Sequence, residues 1–190
     1  MRKLIVQQWV TVDNFAAEED GGLSFVTAPP GGEMPDDAFK ASVMALIDTV
    51  DTMIIGANTY AMAKDYWPHA TDQGEYGEKF NNLAKFVAST NLKAAPWGDF
   101  APATVTPDPV TTVQQLKQQD GKDIMLWGSL TLMKAMFEAR AVDEVQMRVC
   151  PTSRSRGARL FTDRQDLQLL EATPFENGIV LLRYQVQKKS

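Results

Sequence analysis

The alternation of strand and helix signals along this chain predicts an α/β fold. It is a three-layer α/β/α sandwich whose central sheet is mostly parallel, with an antiparallel end strand. Three observations carry this reading. Residues 123–161 read as a buried strand (Ile124-Met125-Leu126-Trp127), a tight Gly128-Ser129 junction, an apolar-faced helix and an alternating strand over 144–150. A second junction of the same kind occurs at Met53-Ile54-Ile55-Gly56, followed by Ala57-Asn58-Thr59. Asn177-Gly178 has hairpin-turn chemistry just before a final strand over 179–186.

The other elements follow in order. Residues 4–12 form a buried first strand, and 13–32 are loop-rich, with Gly21-Gly22 and Pro29-Pro30-Gly31-Gly32. So long a connection is more often functional than idle in a compact domain. Pro35-Asp36-Asp37 opens a helix, the acidic pair suiting both cap and dipole. Phe39, Val43, Leu46, Ile47 and Val50 then recur at helical spacing. Residues 52–55 are a short buried strand. A helix over 59–65 ends near Trp67-Pro68, because proline cannot continue it. Residues 83–88 are the next strand, ending on Ser89-Thr90. Residues 91–109 hold Pro96, Pro102, Pro107 and Pro109 and read as a surface crossing rather than a domain boundary. Residues 110–119 form a polar helix with Val113 and Leu116 inward. The helix after Gly128-Ser129 places Leu130, Met133, Met136 and Phe137 on one side. No internal repeat or low-complexity tract is present.

The bulk properties set the class. The chain has 190 residues, enough for a single domain over 1–190 with a full core. It is 44% apolar and 23% charged, with net charge −5. That acidic balance argues against a nucleic-acid partner, which calls for a broad basic face. The single cysteine, Cys150, excludes an intrachain disulfide and suits a reducing cytoplasm. The first ten residues read as a strand rather than a signal peptide. No apolar run approaches the ~20 residues that span a bilayer, so no membrane partner is expected.

Both strand-to-helix junctions aim backbone N–H groups and the positive end of a helix dipole at whatever lies above the sheet, which suits phosphate. Two such junctions suggest a ligand with more than one phosphate, most simply a dinucleotide. Gly56 permits close backbone approach, and Asn58 or Thr59 serves as a cap. The plainer reading is that these are small-residue turns, with Ser129 only capping its helix. Ser89-Thr90 offers hydroxyls on the same sheet edge, where ligands of open α/β sheets bind. Asp13, Asp36 and Asp37 are the candidate acids; an acid near the ligand supplies a proton during reduction, while the plain alternative makes Asp13 a turn residue and the pair caps. Residues 148–164 hold Arg148, Arg154, Arg156, Arg159 and Arg164 against one acid, Asp163. Arginine suits phosphate by its bidentate fork; a solvated basic loop is the alternative. His69, the only histidine, has no cysteine or carboxylate at ligand spacing, so no metal site is expected. A Gly-x-Ser-x-Gly elbow is also missing. The Met and Trp side chains read as core packing.

The order of short motifs is distinctive: Thr11-Val12-Asp13-Asn14-Phe15-Ala16, Ile55-Gly56-Ala57-Asn58-Thr59-Tyr60, Tyr66-Trp67-Pro68, Phe86-Val87-Ala88-Ser89-Thr90, Trp127-Gly128-Ser129, Val142-Asp143-Glu144, and Pro151 through Gly157 to Leu160-Phe161. Over nearly the whole chain this resembles the dihydrofolate-reductase-like superfamily. Within it, the sequence is most similar to the reductase domain of bifunctional riboflavin-biosynthesis deaminase-reductases and its stand-alone relatives. The resemblance implies a central sheet flanked by helices, NADPH as cofactor, and a homodimer. It places Gly56, Asn58 and Thr59 at the first cofactor helix, Ser89 and Thr90 near the adenosine ribose and its 2′-phosphate, and Gly128, Ser129 and Leu130 on the diphosphate. The Asp13 segment borders nicotinamide and substrate, and Asp37 is the nearest counterpart of the superfamily's acid. Arg154 and Arg156, from the arginine-rich segment, are read as substrate-binding, with replacement of a 2′-phosphate clamp as their other use.

The sequence also departs from the family. Its usual Gly-Arg-x-Thr-Tyr has Ala57 in place of the arginine that grips the 2′-phosphate, and its Ser-Arg strand end reads Ser89-Thr90. Asp-Gly reads Asp13-Asn14, and the Pro-x-x-Leu-Gly-x-Gly loop reads Pro151-Thr152-Ser153-Arg154-Ser155-Arg156-Gly157. With two cationic clamps missing, NADH is the alternative cofactor. The expectation is a cytoplasmic NAD(P)H-dependent reductase that passes hydride to a C=N carbon of a pterin-like or ribosylamino-pyrimidine substrate, a small heterocycle. No zinc-deaminase motif accompanies it. The alternatives are a non-catalytic nucleotide-binding module that keeps the fold, and a fold whose arginine-rich loop docks an acidic partner.

Overall fold

The computed structural model describes residues 1–27 and 37–188. Pro29-Pro30-Gly31-Gly32, Pro35 and Asp36 lie outside the described residues. The chain groups into two compact units, each discontinuous in sequence: Met1–Ile5 with Ser42–Val142, and Val6–Ala41 with Asp143–Ser190.

In the first unit β3 (Val50–Gly56) pairs in parallel with both β4 (Ala84–Ala88) and β7 (Asp123–Trp127). β4 pairs in parallel with β6 (Phe100–Thr106), which closes antiparallel on β5 (Ala95–Trp97). The start of β1 (Leu4–Thr11) lies beside β7, where the Ile124 amide donates to the Lys3 carbonyl at 2.8 Å. Met53, Ile54 and Ile55 are fully buried, as a parallel strand covered on both faces requires. The core on one face gathers Met53, Ile55, Tyr60, Phe80, Val87, Trp97 and Met125.

Four helices lie wholly within this unit: α3 (Ala57–Ala63), α4 (Gly74–Asn82), α5 (Pro109–Lys117) and α6 (Leu130–Glu138). Pro109 opens α5 at a position that needs no amide donor, and the Asp108 carboxylate accepts from the Thr111 amide at 3.0 Å. The expected helix over 59–65 begins two residues earlier and stops at Ala63; Pro68 falls in a separate 3-10 turn, Trp67–His69. The 91–109 crossing is corrected: it contains β5 and β6. Pro96 is on the end strand β5, and Pro102 precedes Thr104, where pairing with β4 begins, so neither removes a donor from an interior ladder.

In the second unit β8 (Glu144–Cys150), β11 (Val180–Val186) and β10 (Leu167–Pro174) pair antiparallel, and the rest of β1 lies beside β8. The β10–β11 connection is the expected hairpin, with Gly178 at φ 81° and Asn177 Oδ1 accepting from the Ile179 amide at 3.1 Å. Short strands β2 (Phe15–Ala17) and β9 (Ala158–Arg159) pair antiparallel, and α1 (Ser24–Thr27) is a single turn. Helix α2 (Asp37–Thr49) begins in this unit and ends in the first. Trp9 and Phe39 pack with tilted rings 5.7 Å apart, and Phe39 meets Phe175 edge-on at 5.2 Å. Buried Glu144 accepts from Arg183 and Gln146, both at 2.9 Å. Cys150 is fully buried, and burial pushes its thiol up to about 11. The first unit thus pairs its strands in parallel and closes on an antiparallel edge, β5, while β8, β11 and β10 of the second unit pair antiparallel throughout. Among the described residues no helix is long and apolar enough to cross a membrane, and no group of three or more His, Cys, Asp or Glu is placed to hold a metal ion.

Candidate functional site

Parallel pairing of β7, β3 and β4 brings Trp127, Gly56 and Ala88 to the same edge of the first unit. The residues beyond those ends make the candidate site. Gly56 is the N-cap of α3, in extended conformation (φ −81°, ψ 162°), and no side chain caps this helix. Asn58 and Thr59 are therefore residues of its first turn rather than its caps, a correction to the expected boundary. Ser129 is the N-cap of α6, and its Oγ accepts from the Leu132 amide at 3.3 Å. The plain capping reading of Ser129 thus holds, while the amides of Leu130 and Thr131 keep no acceptor within the helix. Gly128 and Ser129 stand at φ 70° and 65° in succession. Glycine enters that region freely, whereas serine does so at a cost.

The two junctions interlock. A Cβ on Gly56 would stand 2.2 Å from Ser129 Oγ and 2.6 Å from Ser129 Cβ. A Cβ on Gly128 would stand 2.9 Å from Thr59 Cγ2. Each glycine is required by the other junction, so the first turns of α3 and α6 are held side by side. Uncapped first-turn amides at adjacent helix starts favour an anion electrostatically.

At the end of β4, the Ser89 amide donates to the Thr106 carbonyl at 3.0 Å. Its Oγ accepts from the amides of Asn91 and Leu92 at 3.2 and 3.1 Å. Ser89 thereby closes the turn, while Thr90 is exposed. Below this edge, half-buried Trp127 lies 5.9 Å from Trp67 and 5.1 Å from Phe80. Asn81 ties the aromatic cluster: its Nδ2 donates to the Trp67 carbonyl at 2.8 Å, and its Oδ1 accepts from Trp97 Nε1 at 2.7 Å. The expectation that these tryptophans pack rather than bind agrees with these contacts.

The second unit holds the other candidates. Asp13 Oδ1 accepts from the Thr11 hydroxyl at 2.6 Å. Both Asp13 oxygens lie 3.2 Å from the Arg154 amide, and Oδ2 accepts from the Ser155 amide at 2.8 Å. The Thr11 hydrogen bond, followed by those of the Ser155 and Arg154 amides, holds its carboxyl below the usual range against the opposing pull of desolvation. Arg154 Nε donates to Glu18 Oε1 at 2.9 Å, its other nitrogens reach Thr152, Ser153 and Ser24, and its guanidinium lies 5.8 Å from the Phe25 ring. Glu18 is a partner that sequence reasoning missed, because 136 residues separate it from Arg154. Arg156 is exposed. Asp37 is fully exposed at the first turn of α2, with Lys40 Nζ 3.7 Å away.

The five arginines of 148–164 do not form one basic loop. Arg148 is buried in β8, between Trp9 and Phe39 at 5.7 and 5.5 Å. Arg159 lies 4.8 Å from the Phe15 ring, and Arg164 pairs with Asp166 at 3.0 Å. The structure thus brings together Gly56, Thr59, Gly128 and Ser129 in one unit, and Asp13 with Arg154 in the other.

Comparison with known proteins agrees with this architecture. A Bacillus subtilis (strain 168) protein, uncharacterized protein YyaP, is 23% identical over 189 residues, covering 96% of this chain and 94% of its own. The crystal structure of a putative riboflavin biosynthesis protein from Shewanella sp. PV-4 superposes with a TM-score of 0.71 at 16% identity, covering 98% of this chain and 99% of that one. A pyrimidine reductase-like protein from Corynebacterium diphtheriae superposes with a TM-score of 0.70 at 14% identity, covering 99% and 93%. The sequence profile described as RibD C-terminal domain matches residues 2–181. With a match of that extent, the chain belongs to the RibD C-terminal domain family, whose dihydrofolate-reductase-like fold it has.

Proposed function

We propose that the protein is an NAD(P)H-dependent reductase of the riboflavin-biosynthesis type, acting on a C=N carbon of a pterin-like or ribosylamino-pyrimidine heterocycle. The single observation that carries this is the interlock of Gly56 with Ser129 and Gly128 with Thr59, read with membership of a reductase-domain family. Two helix starts held in contact, with first-turn amides left over from the helices' own hydrogen bonding, suit a diphosphate. The amides of Asn58, Thr59, Leu130 and Thr131 would hold it, and Thr90 with the Ser89 turn would border the adenosine end. When bound, the reduced nicotinamide supplies the hydride. The chain's task is to hold the two rings in register and exclude competing orientations.

The fit to a 2′-phosphate is poorer than the fit to a diphosphate. Ala57 and Thr90 carry no charge, so neither forms an ion pair with it. NADPH is the cofactor of the family reading, and NADH is the competitor that these two positions admit.

Calorimetry with NADPH and NADH, followed by an oxidation assay with pterin, pyrimidine and quinoid acceptors, tests the proposal. Binding of either cofactor with turnover of one acceptor class is the expected result. Absence of both overturns it. Tight binding without turnover supports the second reading, a nucleotide-binding module without catalysis. One observation favours that reading: the Asp13 carboxylate is taken up by the amides of a loop, and Asp37 is fully exposed to solvent, so neither is enclosed as a proton donor in a built site.

A further inference from the structure

We propose that Asp13 is a positioning residue whose carboxylate fixes the 152–157 loop, and that it is not the proton donor of the reaction. The proposal rests on the reductase reading in one respect, the expectation from sequence that Arg154 and Arg156 of this loop bind the substrate. The anchor itself is a separate matter of geometry.

Four hydrogen-bond contacts converge on one carboxylate: the Thr11 hydroxyl on Oδ1, the Arg154 amide on both oxygens, and the Ser155 amide on Oδ2. Two successive amides pointing at one anion form a concave nest. The nest depends on Ser155, which stands at φ 62° in the left-handed region. That conformation is costly for serine and persists where the surroundings over-determine it. Here the surroundings are Asp13 and the next residue but one, since a Cβ on Gly157 would stand 2.1 Å from the Ala17 carbonyl oxygen.

Arg154 completes the clamp from the other side. Its amide is held by Asp13 and its guanidinium by Glu18, with Ser24 at 3.4 Å and the Phe25 ring beneath. The segments 11–18 and 152–157 are thus joined by an acid on the first to amides on the second, and by an arginine on the second to an acid on the first. Arg154 is consequently a structural arginine. Of the two arginines assigned to the substrate, only Arg156, exposed beside Ser155, keeps a guanidinium turned to solvent.

A carboxylate accepting this many hydrogen bonds is stabilised in its charged form, and protonation would break one or more of them. A carboxyl group that donates a proton must instead be neutral before the step and near the accepting nitrogen. The geometry therefore favours an anchor over an acid.

The test compares wild type with Asp13→Asn, Asp13→Ala and Thr11→Val. Amide hydrogen exchange is read at Arg154 and Ser155, and steady-state kinetics where the wild type turns over. Exchange at both amides is expected to quicken by at least about tenfold in the Asp13 variants, and by less in Thr11→Val, which keeps the carboxylate. In kinetics, KM for the heterocyclic acceptor rises about tenfold or more, KM for the nucleotide is unchanged, and the pH profile of kcat keeps its shape. Unaltered exchange at 154 and 155 overturns the anchor. A kcat drop of about a hundredfold or more with loss of one limb of the pH profile assigns Asp13 as the acid instead. If wild type binds no nucleotide and reduces nothing, the reductase reading fails while the exchange arm still decides the anchor. Thr11→Val guards against the case in which the Asp13 variants do not fold.

Discussion

Gly56 lies against Ser129 so closely that a Cβ at residue 56 would fall 2.2 Å from the serine Oγ. Two backbone junctions separated by more than seventy positions therefore constrain each other's side chains. Gly56→Ala is expected to lower stability by about 1–3 kcal/mol, as overpacking does, and to weaken nucleotide binding. Adding Ser129→Gly removes the clashing atoms and relaxes a residue at φ 65°. The double variant should then recover most of the loss. A denaturant-unfolding cycle reads this directly; additive losses would mean that the two residues are independent.

If the protein is the reductase proposed, charge at the end of β3 would set its choice between NADPH and NADH. Ala57 is half-buried at the first position of α3 and carries no cation. Ala57→Arg should raise the preference for NADPH over NADH by roughly tenfold or more, the size expected of a hydrogen bond to a charged group. The ratio of Kd values checks it. An unchanged ratio would place the adenosine end elsewhere.

Lys85 gives the fold a pH dependence. It is buried, its Nζ donates to the carbonyls of Asn81 and Leu83 at 2.5 and 2.8 Å, and it lies 5.0 Å from the Trp97 ring. Desolvation lowers its pKa to about 8, against about 10.4 for lysine in an unfolded chain. Between those values the unfolded chain binds more protons, so stability rises with pH across that window, by an amount on the order of 3 kcal/mol. Below about pH 8 the penalty is present in full. Lys85→Met should flatten this rise. Chemical denaturation across the window tests it, and a slope unchanged in the variant would assign the effect to another group.

Asn81 is the polar tie of an aromatic cluster. Asn81→Leu leaves the Trp97 indole N–H without its partner, while the Trp67 carbonyl keeps the Ala70 amide at 3.3 Å. The expected loss is about 1–3 kcal/mol for the one buried group orphaned, with a shift in tryptophan emission. Calorimetric unfolding together with fluorescence reads both.

The architecture was legible where burial and period agree. Met53-Ile54-Ile55 and Ile124-Met125-Leu126 are continuous apolar runs ending on glycine or on Trp-Gly, and both became parallel strands leading into helices. Glu144–Cys150 was legible from alternation alone. Helix α4 was not, because it contains Gly74 and Gly77 and turns only a narrow face, Tyr76 and Phe80, toward the core. Strands β5 and β6 were hidden by their prolines, which are harmless where no neighbour needs the amide. Strand β10 was hidden because its leucines at 169 and 170 are exposed rather than alternating. In the candidate site, Gly56, Gly128 and Ser129 could be named from residue type. Their mutual contact could not, since pairs of this kind depend on register between strands. Asp13 was visible as an acid after the first strand, but its partners on residues 154 and 155 lie 141 and 142 positions away.

Strand β1 carries Leu4, Val6 and Val10, all buried, yet beyond Ile5 it lies beside β8, near the far end of the chain. At ribosomal speeds of about 5–20 residues per second, the 141 positions between Asp13 and its amide partners take roughly 7–28 s to translate. For most of that interval the edge of β1 that later meets β8 stands unpaired outside the exit tunnel, open to holdase capture or to a neighbouring nascent chain. Expression yield should therefore respond more sharply to translation rate and chaperone supply than the finished molecule's stability alone would suggest.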